Sequence, residues 1–505
     1  MAEGAHPVSF YGNLPCGARI PSSVHAVSVS LPLLSDLIAY EEQRPEMLEK
    51  VHSGYPRFHT HPFVSRLLQF ADVKLGLRGQ PTLAVASVRS ATLLCDYAGI
   101  PTSAITSFHD TAIVSLPDNP EVVKRAKSFL QHTGSGISSR RAEDLLIAEN
   151  VFPGLMQEEE TFNGDAETEV RDVLGRAYGT EGRYVHLGPF GMNALYAVYR
   201  SYTQIQEPSA RREWIQFGWL FMDTIETLRK LHSPNVENHA IHSTLHMEAL
   251  ETLLRDRGKH VAGLFTEVPS NPLMQTPDVE RLRELADQYG FALIIDATLG
   301  TPHNVDVLRY ADAVVESLTK YASGSADLMM GAVVVNPRSR FAGALQEQLP
   351  RFLERPWPRD LARLAFRIGS YKERIQRVNK NTMALVDFFS RSKAVKRVRW
   401  AYEAQSLRNF EKVHRAPQSP GGIMTLELNV PLDTVYDRLR LAKGPSLGAD
   451  FTLVGPYLYH AHYALVSTEE GRAYLRDKGL DPNLLRVSAG LEETSGLLAA
   501  FSEVL

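Results

Sequence analysis

Residues 311–330 read ADAVVESLTKYASGSADLMM, and GAVVVNP follows at 331–337. The apolar run Ala313 to Val315 predicts a buried strand, and Ala332 to Val335 a second. Between them a polar turn, Glu316-Ser317-Leu318-Thr319, carries Lys320, and a small-residue loop runs from Ala322 to Ala326. A buried ammonium without a partner is costly. A lysine set between buried strands therefore loses its proton easily, and its neutral amine becomes a nucleophile. Ser317 and Thr319 stand at alternate positions, so both hydroxyls face one point. The layout suits a lysine that forms an imine with an aldehyde cofactor while hydroxyls hold the cofactor's phosphate. The plainer alternative is a strand-end lysine with its amine in water.

Ser-x-Thr-Lys-Tyr at 317–321, with the loop and Asp327 behind it, closely resembles the cofactor-lysine motif of the Cys/Met-metabolism family of pyridoxal-phosphate enzymes. That family includes cystathionine γ-synthases, γ- and β-lyases and O-acylhomoserine sulfhydrylases. The resemblance covers about residues 160 to 505, and weakly 50 to 100. It implies an α/β protein of the fold-type-I PLP-dependent transferase class, with a mostly parallel central sheet and a smaller C-terminal α/β domain.

Further motifs fall in the family's order. GPFGMNAL sets Gly188, Gly191 and Met192 at a strand-to-helix turn. Amides at a helix start attract anions, and glycine lets a phosphate come close. Alone this is as readily a tight turn, but it is similar to the family's phosphate-binding turn. FALIIDATLGTP puts Asp296 at the C-terminal end of a buried strand, where open α/β sheets bind ligands. The matching motif, which includes Thr298, implies that Asp296 pairs with the protonated pyridine nitrogen and keeps the ring electron-withdrawing. TEVPSNPLM is similar to the family's Glu-x-Pro-x-Asn-Pro turn, which implies that Asn271 lies beside the ring hydroxyl, with Glu267 holding the turn. In FGWLFMDTIETL the family's ring-stacking tyrosine falls on Phe221. Stacking survives that change, but a phenolic proton carrier does not. Trp219 is a second stacking candidate.

NLLRVSAGLEE is similar to the family's C-terminal motif and implies that Arg486 clamps a substrate α-carboxylate. PSLGADFTLVGP is similar to its Ser-Leu-Gly segment. Phe451 there stands where some γ-synthases carry an acid that meets cysteine's amino group, which weakens the case for cysteine as acceptor. Tyr55-Pro56-Arg57 has the form of the Tyr-x-Arg arm that reaches a neighbouring subunit's phosphate, with Arg140 or Arg141 as alternatives.

A chain of 505 residues exceeds one ordinary core. The expected division is an N-terminal extension and arm at 1–155, a large PLP-binding domain at 156–345 and a small domain at 346–505. Apolar residues make up 44% and charged residues 22%, a globular balance. Net charge is −4, from 54 basic and 58 acidic residues, which gives no case for a nucleic-acid or membrane partner. Cys16 and Cys95 alone build neither a disulfide framework nor a metal cluster, so a reducing, cytoplasmic setting is expected. The N-terminal stretch lacks a signal-peptide pattern, and no apolar run reaches the roughly 20 residues of a membrane span.

From Glu169 to Pro337 helix and strand patterns alternate. Leu361 to Arg391 reads as one long helix, followed by the strands VKRVRWA, GGIMTLEL and LLRVSAG. The acidic run Glu158–Glu160 reads as a solvated face or linker. SRLLQFADVKLGLRGQPTLAVASVRSATLL and EVRDVLGRAYGTEGRYVHLGPFGMNALYAV share an order of helix, glycine, strand, turn and helix, explained equally by convergence or duplication.

The resemblance implies γ-replacement on an O-acyl-L-homoserine by a thiol such as cysteine, giving cystathionine, as in trans-sulfuration and methionine biosynthesis. The long N-terminal region is similar to that of fungal-type cystathionine γ-synthases. Lys320 would hold the cofactor and carry protons between Cα and Cβ. Gly191, Met192, Ser317 and Thr319 would hold the phosphate. A homodimer or homotetramer acting on small-molecule amino acids is implied. The rivals are a γ-lyase, a sulfhydrylase, replacement by an unusual nucleophile in specialised metabolism, and a catalytically retired interaction subunit.

Overall fold

The computed structural model describes residues 11–53, 59–77, 79–231 and 236–505. Its centre is a seven-stranded sheet. Val185–Gly188, Gly331–Val335, Ala313–Ser317, Ala292–Asp296, Val261–Glu267, Glu213–Phe217 and His239–Ile241 lie side by side in that order. All are parallel except Gly331–Val335, which runs against both its neighbours. The central strands are apolar up to their C-terminal ends, where Glu267 and Asp296 stand, because helices cover both faces. Ile294, Val315 and Val333 pack under helix Gly191–Gln206. Leu293, Val314 and Val334 pack against helices Ala166–Tyr178 and Val279–Tyr289.

The register brings the chemistry to one end of this sheet. Asp296 lies opposite Glu267, Ser317 opposite Gly331, and Gly331 opposite Gly188. The strands predicted at Lys320's motif are both present. His239–Ile241 escapes sequence reading because it is short and only half-buried.

A second sheet of five strands carries Arg486 on Leu485–Ser488. The long helix expected over 361–391 is two, Pro358–Ile368 and Tyr371–Arg391, parted at Gly369-Ser370, where glycine weakens helix continuation.

The N-terminal residues divide between two places. Strands Arg19–Ile20 and Ser28–Val29 form a small hairpin. Beyond it, Leu31 N–H donates to Lys443 O (2.9 Å), and Val29, Leu37 and Tyr40 join the core of the five-stranded sheet. A three-stranded antiparallel sheet instead gathers Thr82–Val85, Thr111–Ser115 and Ile105–Phe108. The last two form a hairpin turned by His109-Asp110, which lacks the Asn-Gly or Asp-Gly signature that marks such turns in sequence. The two similar stretches do share an order. Helix Pro62–Leu75 closes at Gly76 (φ 66°) and helix Ala166–Tyr178 at Gly179 (φ 71°), each before a strand and a helix. Their strands, however, belong to different sheets.

The acidic run is not a solvated face throughout. Glu159 meets the buried Arg140 (2.6 Å) and also Arg359 (3.1 Å), and Arg140 reaches Asp360 (3.2 Å). Arg140→Ala leaves the buried Asp360 and Asp327 and the half-buried Glu159 short of a cation. It is expected to cost about 3–5 kcal/mol of stability, read as a lowered midpoint in thermal and urea unfolding. Among the described residues no helix is long and apolar enough to cross a membrane.

Candidate active site

The ends of the central strands open into a cavity of about 590 Å³. Gly191, Met192, Phe221, Asn271, Asp296, Thr298, Ser317, Lys320 and Arg486 all line it, although they come from points almost 300 residues apart. Size and mixed lining suit a cofactor with a small substrate.

Lys320 sits deep in the wall, and its Nζ donates to Ser446 Oγ (2.8 Å). Burial, with the Arg486 guanidinium as a second cause, lowers its pKa to about 7. The neutral amine therefore prevails above that pH. Uptake of pyridoxal phosphate by cofactor-free protein is expected to quicken as pH rises through about 7 and level off above it. Stopped-flow absorbance across a pH series checks this.

Asp296 Oδ1 accepts the Thr298 amide (2.8 Å), and Thr298 Oγ1 accepts the Ser317 amide (2.9 Å), which ties two strand ends together. Burial raises the Asp296 carboxyl above the usual range, and its bonds to Thr298 oppose this. Burial, then repulsion from Asp296, raises Glu267 still further. Glu267 accepts the amides of Phe221 and Asn271 (3.0 Å to Asn271), so it holds the turn as expected. Two buried carboxyl groups without an ion pair among the described residues are what a pyridinium would relieve.

The turn at Gly191 is tight for a physical reason. A Cβ there would stand 2.9 Å from Ser317 Cβ, and one on Gly331 would stand 2.6 Å from Gly191 Cα. Only glycine lets the helix start sit this close to the strand end, and Gly191 and Met192 at that start both line the cavity.

Asn271 Nδ2 donates to Tyr457 OH (3.2 Å), while its buried Oδ1 has no hydrogen-bond partner among the described residues. Arg486 lies 4.8 Å from the Tyr457 ring centroid, and its Nη2 donates to Ser446 O (2.8 Å). Ser446 and Tyr457 were not picked out by sequence reasoning. Ser446 lies inside the quoted PSLG segment and takes a left-handed backbone (φ 95°), which is uncommon for a non-glycine residue.

Other expected residues fall elsewhere. Thr319 Oγ1 accepts the Met330 amide (3.1 Å), and Thr319 is not among the cavity-lining residues. Phe451 is not among the cavity-lining residues; it packs with Ile20, Leu453 and Val27, and Val27 itself lines the cavity. Trp219 contacts His242 and His462 (ring centroids 4.8 and 5.5 Å) and is not among the cavity-lining residues, whereas Phe221 lines the cavity with Phe190 and Tyr457. Arg140 does line the cavity, but its guanidinium is held by Glu159 and Asp360. Arg141 donates to Asp110 O (2.7 Å) and stacks on Trp357. Tyr55 and Arg57 lie outside the described residues.

The residues present fit pyridoxal phosphate. A nucleophilic amine, a buried carboxyl, an unsatisfied amide oxygen and a glycine-lined helix start converge on one space. The family model for Cys/Met metabolism PLP-dependent enzymes matches residues 182–505. The chain is 42% identical, over 96% of its length and 97% of the relative's, to the L-2-amino-4-chloropent-4-enoate dechlorinase/desaturase of Streptantibioticus cattleyicolor. It is 29% identical to the cystathionine γ-synthase of Neurospora crassa, covering 97% of each chain. A solved cystathionine γ-synthase from Xanthomonas oryzae pv. oryzae, in complex with aminoacrylate and cysteine, shares the fold. The TM-score is 0.55 at 21% identity, over 67% of this chain and 85% of that one. The chain belongs to the Cys/Met-metabolism family of PLP-dependent enzymes, and its cofactor is pyridoxal 5′-phosphate.

Proposed function

We propose that this enzyme breaks the bond between Cγ and a leaving group on an L-α-amino acid. The observation that carries this is the meeting of Lys320, Asp296 and Arg486 in one cavity. When bound, pyridoxal phosphate supplies an electron-withdrawing ring that stabilises negative charge at Cα and, in turn, Cβ. Lys320 holds the cofactor and, once free, carries protons between those carbons. Its lowered pKa suits both removing and returning a proton near neutrality. Asp296 faces the pyridine nitrogen, and Asn271 the ring hydroxyl. Gly191, Met192 and Ser317 hold the phosphate, with Thr319 beneath them on Met330. Arg486, braced by Tyr457, holds the substrate carboxylate. Phe221 stacks on the ring and supplies no proton.

In the first completion a thiol replaces the leaving group, with an O-acyl-L-homoserine and cysteine giving cystathionine. The similarity to the Neurospora γ-synthase over both full lengths supports it. In the second, nothing adds and the group is eliminated. The similarity to a dechlorinase/desaturase at 42% identity supports this one, in a specialised rather than a methionine-forming route. A homo-oligomer, dimer or tetramer, and a cytoplasmic setting belong to the same proposal, as does the division at residues 155 and 345.

Incubating the loaded enzyme with O-succinyl-, O-acetyl- or γ-chloro amino acids, with and without cysteine, tests this. The expected result is release of the leaving anion. A thioether product then marks replacement, and a 2-oxo acid or unsaturated amino acid marks elimination. No anion release from any of them would defeat the reading.

A further inference from the structure

The N-terminal residues build a wall of the cavity that the functions above do not use. Its polar core is Ser139, His25 and Glu143. His25 Nδ1 lies 3.0 Å from Ser139 Oγ, and His25 Nε2 lies 3.4 Å from Glu143 Oε2. His25 and Ser139 both line the cavity, while Glu143 is fully buried behind them. Glu143 is itself fixed by Arg359 (2.9 Å) and by the Met156 amide (2.8 Å). The order hydroxyl, imidazole, carboxylate is that of a proton relay, with a hydrogen bond at the Ser139 link and an ion-pair distance, without hydrogen-bond geometry, at the Glu143 link.

Both segments that bear the relay are tied to the loop behind Lys320. Val27 N–H donates to Ala326 O (2.9 Å), and Arg140 Nη1 donates to Asp327 O (2.8 Å). Arg486 and this wall line the same cavity, so with the carboxylate end of the substrate given to Arg486 the wall can take the group on Cγ.

We propose that Ser139, His25 and Glu143 pass a proton to and from the atom X bonded at Cγ, where X is a poor leaving group or an incoming nucleophile such as a thiol. When X departs, the Cγ–X electron pair goes to X. X takes the Ser139 hydroxyl proton, and imidazolium Nδ1–H restores the hydroxyl. When X–H arrives, the same protons move in reverse, and the imidazolium is left facing Glu143. Among the described residues the charged and titratable groups around His25 include Glu143, Glu159, Asp360, His61 and, on the far side of Glu143, Arg359. The assignment rests on the Cγ reading above.

The test compares two leaving groups. Chloride departs as a stable anion and needs no proton, whereas the thiolate of a γ-thioether does. For His25→Gln and Ser139→Ala, the ratio of chloride release to thiol release should change by at least about tenfold against wild type, because general acid catalysis is worth about 10²–10⁴-fold. Equal losses on both substrates would mean that His25 only packs, and would overturn the relay. A second readout needs no turnover. In cofactor-free protein, Ser139→Ala should move the His25 Nδ1 signal in nitrogen NMR. An unmoved signal would overturn the relay even if neither substrate reacts, and failure of wild type on both substrates would defeat the Cγ reading alone.

Discussion

Lys320→Ala is expected to lower turnover by at least about 10⁴-fold, since it removes both a covalent anchor and a proton carrier. The argument rests on where the amine sits. Lys320 Nζ lies in the cavity wall 2.8 Å from Ser446 Oγ, at the strand end that also bears Ser317. A lowered pKa alone does not mark such a residue. Lys443 is also buried, with its pKa lowered to about 8, yet its Nζ bonds the Tyr436 carbonyl (2.9 Å) and lies outside the lining. The variant should keep its fold, because alanine at this site removes a costly buried amine and leaves the strands intact. Turnover, cofactor retention after gel filtration and far-UV circular dichroism are the measurements. A drop of less than tenfold would remove Lys320 from the chemistry.

Asp296→Asn is expected to cost about 10²–10³-fold in turnover, the scale of losing one preorganised electrostatic contact at a reacting centre. Asparagine retains the shape and can still accept the Thr298 amide, but it cannot balance a protonated ring nitrogen. The cofactor-free and loaded proteins should then respond in opposite directions. Without cofactor, burial and the neighbouring Glu267 make the Asp296–Glu267 pair costly, so the variant should melt no lower than wild type. With cofactor, wild type gains the charge partner, and the variant should gain less. Thermal midpoints of the four forms, with turnover, decide this. A variant that melts lower in both states at undiminished turnover would make Asp296 a structural cap.

The site was legible in sequence where local spacing and tertiary position coincide. Gly191, Asp296, Ser317 and Lys320 each sit at or next to a strand end, and short motifs fix strand ends well. Arg486 was equally visible, because its strand and the following turn are contiguous in the chain. What escaped depends on distant packing. Thr319 stands two residues from Ser317, yet its hydroxyl is taken by Met330 across the turn, a bond that alternation does not reveal. Phe451 was assigned by its place in a motif, but the chain there turns its ring into the Ile20–Leu453 cluster. Ser446 needed knowledge of a left-handed backbone at a non-glycine residue. The N-terminal wall was the least legible. His25, Ser139 and Glu143 are over a hundred residues apart at the extremes, and only the fold shows that they share a cavity with Lys320.

The fold followed the same rule. Continuous apolar runs such as Ala292–Asp296 and Gly331–Val335 announced buried strands, and their alternation with helices announced a mostly parallel sheet. The antiparallel course of Gly331–Val335 has no sequence mark, since its composition would suit either direction. The acidic run at 158–160 looked solvated because its partners, Arg140 and Arg359, come from segments that meet only in three dimensions.

The central claim is that Lys320 carries pyridoxal phosphate. The most direct measurement is borohydride reduction of the loaded protein, followed by peptide mapping. The account predicts one phosphopyridoxyl label per chain, on the peptide that contains Lys320, and loss of the visible absorption band as the label forms. A label on another lysine, or none in protein saturated with the cofactor, would contradict it.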